Sequence, residues 1–228
     1  MTTKHLLSSN TDGYARRILT RSLTPFMHHR QLLAIPLLVA ALAAQAQDRT
    51  ADPLAPLAQC INRSAFQFRQ QDRLPAQVTT RSVKLATGEG QVSVADGYRL
   101  MLFHKSSLPF VNLKIERSAE GRFAADRDTI VAQLQQMAAN SKAPHLVSLE
   151  TDTRQGVEVL GLNNPNITQS AGVISLYTLL QAASGTVATA YLLNQPADKR
   201  EFATDAQYLV LRDQFIAALA ACMADAAQ

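Results

Sequence analysis

The chain of 228 residues carries 22 basic and 18 acidic side chains, a formal charge of +4, and two cysteines. Five of the basic residues and one of the acidic residues precede Gln47, so residues 47–228 balance at 17 charges of each sign. That part contains no run of Lys and Arg interleaved with aromatic residues, which argues against nucleic-acid binding. We therefore expect no nucleic-acid partner.

A short apolar segment near the N-terminus is organised like a secretory signal peptide. Residues 27–30 read Met-His-His-Arg, residues 32–43 are largely apolar, and residues 44–46 form an A-x-A cleavage motif. The apolar core is shorter than the roughly 20 residues that a membrane-spanning helix needs, and Pro36 interrupts it. These features predict cleavage after Ala46 and delivery of the remaining chain to the periplasm or outside the cell.

The signal peptide divides the chain into four predicted segments. Residues 1–26 are polar without apolar periodicity and are interpreted as a non-native or disordered extension upstream of the signal peptide at 27–46. Residues 47–55 are predicted to be a flexible tail, and residues 56–228 have the length of one domain. Arg16-Arg17 raises the alternative of twin-arginine export, although the pair lies well ahead of the apolar core.

The apolar periodicity after residue 55 predicts a mixture of helices and strands. In chain order we expect a helix at 56–70, an extended segment at 78–85, strands at 91–95, 98–103 and 110–116, a helix at 126–140, strands at 147–150, 157–162, 173–179 and 186–193, and a helix from 204.

Two of these elements depend on specific local signals. Asp96-Gly97 lies between apolar runs and favours a type I′ turn, because both turn positions need a positive φ, so we predict a tight hairpin there. Thr204 and Gln207 have the spacing of a capping box at the start of the last helix. The predicted buried stripe of that helix is Leu211, Phe215, Leu219 and Cys222.

The two earlier helices also carry apolar stripes. The stripe of the helix at 56–70 consists of Leu57, Ile61 and Phe68. The predicted buried face of the helix at 126–140 consists of Ile130, Val131, Leu134, Met137 and Ala138. Asp126 and Asp128 suit the positively polarised N-terminal end of that helix.

Adjacent strands joined by short turns pair antiparallel, so the order of elements predicts an α+β fold: a single twisted antiparallel β-sheet with helices packed on it. Cys60 and Cys222 lie near the two ends of the predicted domain. In an oxidising compartment such a pair favours a disulfide, which would make the N- and C-terminal helices adjacent. Two buried free thiols are the alternative, and no C-x-x-C pair indicates redox catalysis.

Over roughly residues 77–224 the order of elements is similar to the PsbP-like fold. The resemblance is carried by the segment 92–103 with its Asp-Gly pair, the strand to Glu116, the helix after Phe123, four further strands and the long closing helix. That family includes an extrinsic photosystem subunit, a nuclear-import accessory factor and secreted bacterial proteins. The resemblance implies a non-catalytic accessory or binding module, and no binding motif transfers residue by residue.

Histidine side chains commonly act in catalysis and in metal binding. His104 and His145 are the two histidines after residue 46, and neither has metal-ligand spacing or a nucleophilic serine motif near it. We interpret both as ordinary residues at strand edges. The sequence therefore predicts no catalytic residue, no metal site and no cofactor.

The paired acidic residues are interpreted as structural and not as catalytic. Glu150 and Asp152 fall on one strand face, as Lys114 and Glu116 do, and such a pattern is typical of a solvated face rather than of a glycosidase pair. Asp126-Arg127-Asp128 could bind a cation, but complementing a helix end is the simpler interpretation.

The remaining candidate surface is a loop at 163–169 that is rich in amides, which suit hydrogen bonds to a peptide or a sugar. The candidate ligand-contact residues are Asn163, Asn164, Asn166 and Gln169. Amides are also ordinary turn formers, so a plain loop is the alternative.

The leading hypothesis is a soluble periplasmic accessory or binding protein without enzymatic activity, with a periplasmic or envelope protein as the expected partner and no transmembrane span after residue 46. The rival is a periplasmic hydrolase whose site assembles from distant residues, His104 or His145 with Asp or Ser neighbours. A cavity holding one histidine beside a carboxylate and a hydroxyl would favour the rival. A structural envelope component, the third alternative, would show a large exposed apolar patch.

Overall fold

The computed structural model describes residues 52–74, 77–141, 147–163 and 172–228. The predicted upstream extension, the signal peptide at 27–46 and the first part of the predicted tail lie outside the described residues.

Three helices and eight strands make up the described part of the chain. They are α1 Ala55–Arg63, β1 Gln67–Leu74, β2 Thr79–Leu85, β3 Gly88–Phe103, β4 Val111–Ser118, α2 Phe123–Ala139, β5 Ser148–Arg154, β6 Val157–Asn163, β7 Val173–Gln181, β8 Thr186–Leu193 and α3 Asp205–Asp225. No helix within these described ranges combines the length and the apolar character needed to cross a membrane.

The strands form one open antiparallel sheet, which confirms the predicted α+β class. The strand order is β1-β3-β4-β8-β7-β6-β5, and β2 also pairs with β3. β2 pairs with the first half of β3 and β1 with the second half, so the two short strands lie end to end along one edge of β3. A gap therefore separates Leu74 at the end of β1 from Thr79 at the start of β2.

The sheet carries an apolar core on each face. The larger core lies between the sheet and the helices α1 and α3, and it includes Phe66, Leu100, Phe110, Tyr208 and Phe215. The second core lies between the sheet and α2, and it includes Val83, Val92, Ile130, Leu134 and Leu160. Burying both faces explains why several strands are apolar at consecutive positions rather than at alternate ones.

The predicted hairpin at Asp96-Gly97 is wrong, because β3 runs through both residues without turning. A β-bulge interrupts its register with β4 between Val94 and Asp96. The extra residue changes which side chains face which side of the sheet. As a result Val94 packs in the core beneath α2, whereas Tyr98 packs in the core beneath α1 and α3.

Gly97 is required here for close approach rather than for a turn. It lies directly opposite Glu116 in β4, and it is not among the residues with a positive φ. A Cβ atom on Gly97 would lie 2.4 Å from the carbonyl oxygen of Ile115 and 3.3 Å from Cγ of Glu116. The missing side chain therefore lets the Glu116 side chain lie across β3.

The first helix is shorter than predicted, because α1 ends at Arg63 and β1 begins at Gln67. Two polar side chains bind the backbone at this point. The Ser64 hydroxyl donates to the backbone carbonyl of Ile61 at 2.6 Å, and the side-chain oxygen Oδ1 of Asn62 accepts from the Phe68 N–H at 3.1 Å. Such local bonds compete with helix continuation.

The disulfide and the last helix match the expected chemistry. Cys60 on α1 is bonded to Cys222 on α3, with Cα atoms 5.6 Å apart. Thr204 caps α3 by accepting from the Gln207 N–H at 3.3 Å. The Gln207 side chain reaches back to the N–H of Ala203, one residue before the position expected for a capping box.

The apolar face of α2 is narrower than predicted. The helix begins at Phe123, and Ile130 and Leu134 are buried, whereas Met137 is 45% exposed. Asp126 does not merely complement the helix end, since it is fully buried and one of its carboxylate oxygens accepts from the Ser93 N–H at 3.1 Å. This bond anchors the start of α2 to β3.

Candidate functional site

Most of the amide-rich loop lies outside the described residues, including Asn164, Asn166 and Gln169. Asn163 is described and is buried. Its side-chain oxygen accepts from the Ser175 hydroxyl at 2.6 Å, and the Tyr208 hydroxyl donates to Ser175 at 2.6 Å. Burial raises the pKa of Tyr208 to about 12. Asn163 therefore belongs to an interior hydrogen-bond network.

His104 has a partner that its sequence context did not indicate, whereas His145 lies outside the described residues. Nδ1 of His104 lies 2.7 Å from a carboxylate oxygen of Glu201, and the histidine side chain is 13% exposed. Its ring stacks on Phe66 with centroids 5.1 Å apart. His104 is thus fixed in place, not an exposed side chain at a strand edge.

Glu201 holds three segments of the chain together beside a cavity of about 500 Å³. It accepts from His104, from the Lys105 N–H at 3.0 Å and from the side chain of Gln195 at 3.4 Å. Burial alone would raise the pKa of Glu201, but these hydrogen bonds favour the carboxylate and together lower its pKa below the ordinary value. The carboxylate is therefore well satisfied by the protein itself.

The other acidic residues considered in the sequence are engaged in structural contacts. Glu150 accepts from the Tyr177 hydroxyl at 2.8 Å, and Asp152 pairs with Arg154 in its own strand at 2.8 Å. Arg127 pairs with Glu158 at 2.7 Å and with its neighbour Asp128 at 2.9 Å, so Asp128 is engaged by an arginine. Within the described ranges no three His, Cys, Asp or Glu side chains converge as metal ligands would.

A groove of about 510 Å³ lies beside α2 on the second face of the sheet. Its walls come from β2, from α2 and from the sheet strands β4, β7 and β8. Two of the large apolar side chains left exposed in the described part of the chain line it: Met137 at 45% and Tyr191 at 38% exposure. Folding alone leaves these side chains in water at a concave surface.

The described wall of this groove contains three basic residues, and no carboxylate lines it. Arg81 and Lys84 come from β2, and Lys114 comes from β4. The groove therefore combines apolar contact area with positive charge, a combination that a plain apolar interface would not need.

A smaller cavity of about 240 Å³ adjoins the groove and shares Arg81 and Lys114 with it. Leu74 and Thr79 also line it, which places it at the gap between β1 and β2. Arg99 is a further wall residue, and Arg99 lies directly opposite Lys114 in the β3–β4 ladder.

Glu116 lies at the floor of this cavity and is only 2% exposed, so the predicted solvated face is wrong. One nitrogen of Arg81 contacts both carboxylate oxygens, at 2.9 and 3.1 Å, and Nζ of Lys114 lies 2.5 Å from one of them. Asp96, the other acidic wall residue, pairs with Arg117 at 3.3 Å. The cavity wall therefore holds two carboxylates and three cations, and Arg117 pairs with Asp96 from outside this wall, which leaves an excess of positive charge.

Sequence reasoning missed this groove because its parts come from distant segments. The polar alternation of Asn112, Lys114 and Glu116 was visible, but it resembles the exposed face of an edge strand. β4 is instead an interior strand between β3 and β8. A charged face on an interior strand is the signal that, once the strand order is known, identifies the site.

Comparisons of the chain with protein-family models, with curated proteins and with solved structures found no match.

Proposed function

We propose that this chain is an exported accessory protein that binds a ligand in the groove beside α2 and performs no catalysis there. The observation that carries the proposal is the groove itself, in which Met137 and Tyr191 stay exposed next to Arg81, Lys84 and Lys114. Concave sites that mix apolar walls with a few polar groups are typical of ligand-binding proteins. A ligand would remove both apolar side chains from water.

Export is supported by the predicted signal peptide and by the cysteines. The disulfide between Cys60 and Cys222 is of the kind that persists in an oxidising compartment. A periplasmic or otherwise extracellular protein meets both conditions, and a periplasmic or envelope protein is the expected partner. The resemblance to the PsbP-like fold stays a prediction, and it points to the same non-catalytic role.

The groove can be tested with a neutral apolar fluorophore, N-phenyl-1-naphthylamine, whose emission rises when it leaves water. We expect saturable binding to the protein, and we expect Met137→Asp to abolish it because a carboxylate then occupies the apolar wall. Val210→Asp is the matched control, since Val210 is a 58% exposed side chain on α3 that lines the His104 cavity. Binding that Met137→Asp leaves intact would overturn the proposal.

The rival hydrolase is favoured by one observation, the His104–Glu201 pair beside its own cavity. If Glu201 binds the Nδ1 proton, Nε2 is left free to accept a proton from a nucleophile. Ser106 lines the same cavity, but its hydroxyl donates to the Lys199 carbonyl, and no hydroxyl contacts His104 among the described residues.

Hydrolysis of p-nitrophenyl acetate distinguishes the rival from the binding protein. A hydrolase would show turnover that His104→Gln abolishes and that Met137→Asp leaves unchanged. The binding proposal predicts no turnover beyond that of free imidazole at the same concentration, and no difference between the two variants.

A further inference from the structure

We infer that the groove takes a single-chain amphiphile with an anionic head group, such as a fatty carboxylate. The inference rests on the proposed function, because it names the ligand class of that same groove. Its basis is the adjacency of two cavities. The larger one carries the exposed apolar side chains and basic residues without a carboxylate, the smaller one adds Arg99 beside Asp96 and Glu116, and Arg81 and Lys114 line both.

The head group would lie in the smaller cavity. Glu116 already binds Arg81 and Lys114, so it neutralises part of their charge. Arg99 is exposed and forms no ion pair among the described residues. In the sheet it lies between the cation Lys114 of β4 and the carboxylate Asp72 of β1, and of these two only Lys114 lines the cavity. Two like charges directly opposite each other in a ladder destabilise the sheet. Glu116 and Asp72 offset part of this repulsion, and an anion in the cavity would offset more of it by contacting both Arg99 and Lys114.

The guanidinium of Arg99 suits a carboxylate or phosphate head group in particular. Arg presents paired N–H donors that match two oxygens of one anion, and such charge-assisted hydrogen bonds are the stronger kind. Lys114 supplies the second cation from β4. A cationic head group would meet an excess of positive charge at the same place and would be repelled.

The chain of the amphiphile would follow the larger cavity. Leu134 and Met137 from α2 and Leu176 and Tyr191 from the sheet supply its apolar surfaces. A volume of about 510 Å³ lies within the range of known small-ligand sites. Each buried methylene should strengthen binding by up to about fourfold, so affinity should rise along the series hexanoate, octanoate, decanoate.

Displacement of bound N-phenyl-1-naphthylamine by three competitors tests the ligand class. Decanoate combines the chain with an anionic head, decylammonium has the same chain and the opposite charge, and acetate has the head alone. We expect decanoate to compete about tenfold better than decylammonium, since one favourable charge contact is commonly of that size. Acetate should not displace the fluorophore.

A variant that lacks one cation distinguishes the contribution of the head group to the affinity from that of the apolar chain. Arg99→Gln should weaken decanoate severalfold and leave the affinity for the neutral fluorophore unchanged. Arg63→Gln is the matched control, because Arg63 is exposed at the end of α1 and lies in neither cavity wall. Equal losses for both variants would overturn the assignment of the head group to Arg99.

Failure of the inference and failure of the proposed function give different results. If the fluorophore binds in a manner that Met137→Asp abolishes, but decanoate and decylammonium compete equally, the anionic class is wrong and the binding function stands. If Met137→Asp does not affect binding of the fluorophore, the groove is not the site. The proposed function and the inference about the ligand class are then both wrong.

Discussion

Two buried carboxylates, Glu116 and Glu201, each lie beside one of the cavities of this protein and differ in how they are paired. Each is charged and almost fully removed from water, which is costly unless partners compensate. Glu201 is compensated by a histidine and by neutral donors from the loops around it, whereas Glu116 is compensated by two cations. The partners of Glu201 therefore satisfy its carboxylate without a ligand, whereas the cations around Glu116 outnumber the carboxylates.

The lowered pKa of Glu201 has a consequence for stability. Its charged form is favoured by folding, so its contribution is fully present above the ordinary glutamate pKa of 4.5 and is lost as the pH falls through the lower pKa of the folded state. Glu201→Gln should lower the free energy of unfolding by about 1.5–3 kcal/mol at pH 7, and this difference should shrink towards pH 3. Urea denaturation across that pH range measures both.

Glu120→Gln makes the same chemical change at an exposed position in the turn before α2. It should leave the free energy of unfolding unchanged across the same pH range. A Glu201→Gln deficit that stays constant between pH 7 and pH 3 would contradict the assignment.

At the scale of elements, strand β3 determines the shape of the site. It pairs with β2 in its first half and with β1 in its second half, and the bulge near Ala95 lies between the two. The gap between β1 and β2 opens at the bulge, and the smaller cavity lies there. A hairpin at Asp96-Gly97 would have removed both features.

Gly97 is the residue on which this arrangement can be tested. In Gly97→Ala the new Cβ meets the Ile115 carbonyl oxygen at 2.4 Å, a backbone atom that can move only if β3 and β4 separate. We expect a loss of about 1–3 kcal/mol in the free energy of unfolding. Gly97→Asn, which a type I′ turn would tolerate, should be at least as harmful.

Gln91→Ala, at an exposed position of the same strand, provides the control and should change stability by less than about 0.5 kcal/mol. If Gly97→Asn folds with unchanged stability, the region behaves as a turn and the continuous strand is contradicted.

Local signals predicted some elements well and others badly, for physical reasons. The cap at Thr204 and the stripe on α3 were predicted correctly, because they depend on residues within one helix. The same reasoning extended α1 too far, since the side chains of Asn62 and Ser64 redirect the chain at this point. Asp-Gly was misinterpreted because glycine serves close approach as well as turns.

At the scale of the whole molecule, a disulfide joins the first and the last helix of the described part of the chain. The disulfide spans 162 residues and joins α1 to α3 over the larger core. Closing so long a loop restricts the unfolded chain more than the folded one. Cys60→Ser with Cys222→Ser should therefore lower the free energy of unfolding by about 2–5 kcal/mol, as measured by urea denaturation.

Reduction of the unaltered protein with dithiothreitol is the control for that double variant. Both treatments remove the same bond and should give the same unfolding midpoint. If the reduced protein and the double variant are as stable as the oxidised protein, the bond has no stabilising role.

The groove could not have been found before the strand order was known. Met137 was expected to be buried because it continues the apolar stripe of α2, yet the sheet beneath it is polar at Lys114 and Thr189. The mismatch between an apolar helix face and a partly charged sheet face appears only when the two are placed together. The order of the predicted elements correctly predicted the α+β class, because that class does not depend on which strands are neighbours in the sheet.

Methyl NMR of the protein labelled with [methyl-¹³C]methionine tests the central claim, that the groove beside α2 holds a ligand, most directly. Met137 lines the groove, whereas Met223 is 1% exposed in the larger core, between the sheet and the helices α1 and α3, so Met223 provides an internal control. During titration with N-phenyl-1-naphthylamine, the ring current of the bound fluorophore should shift the Met137 methyl signal saturably and leave that of Met223 in place. A Met137 signal that does not move while the fluorophore binds would contradict the account.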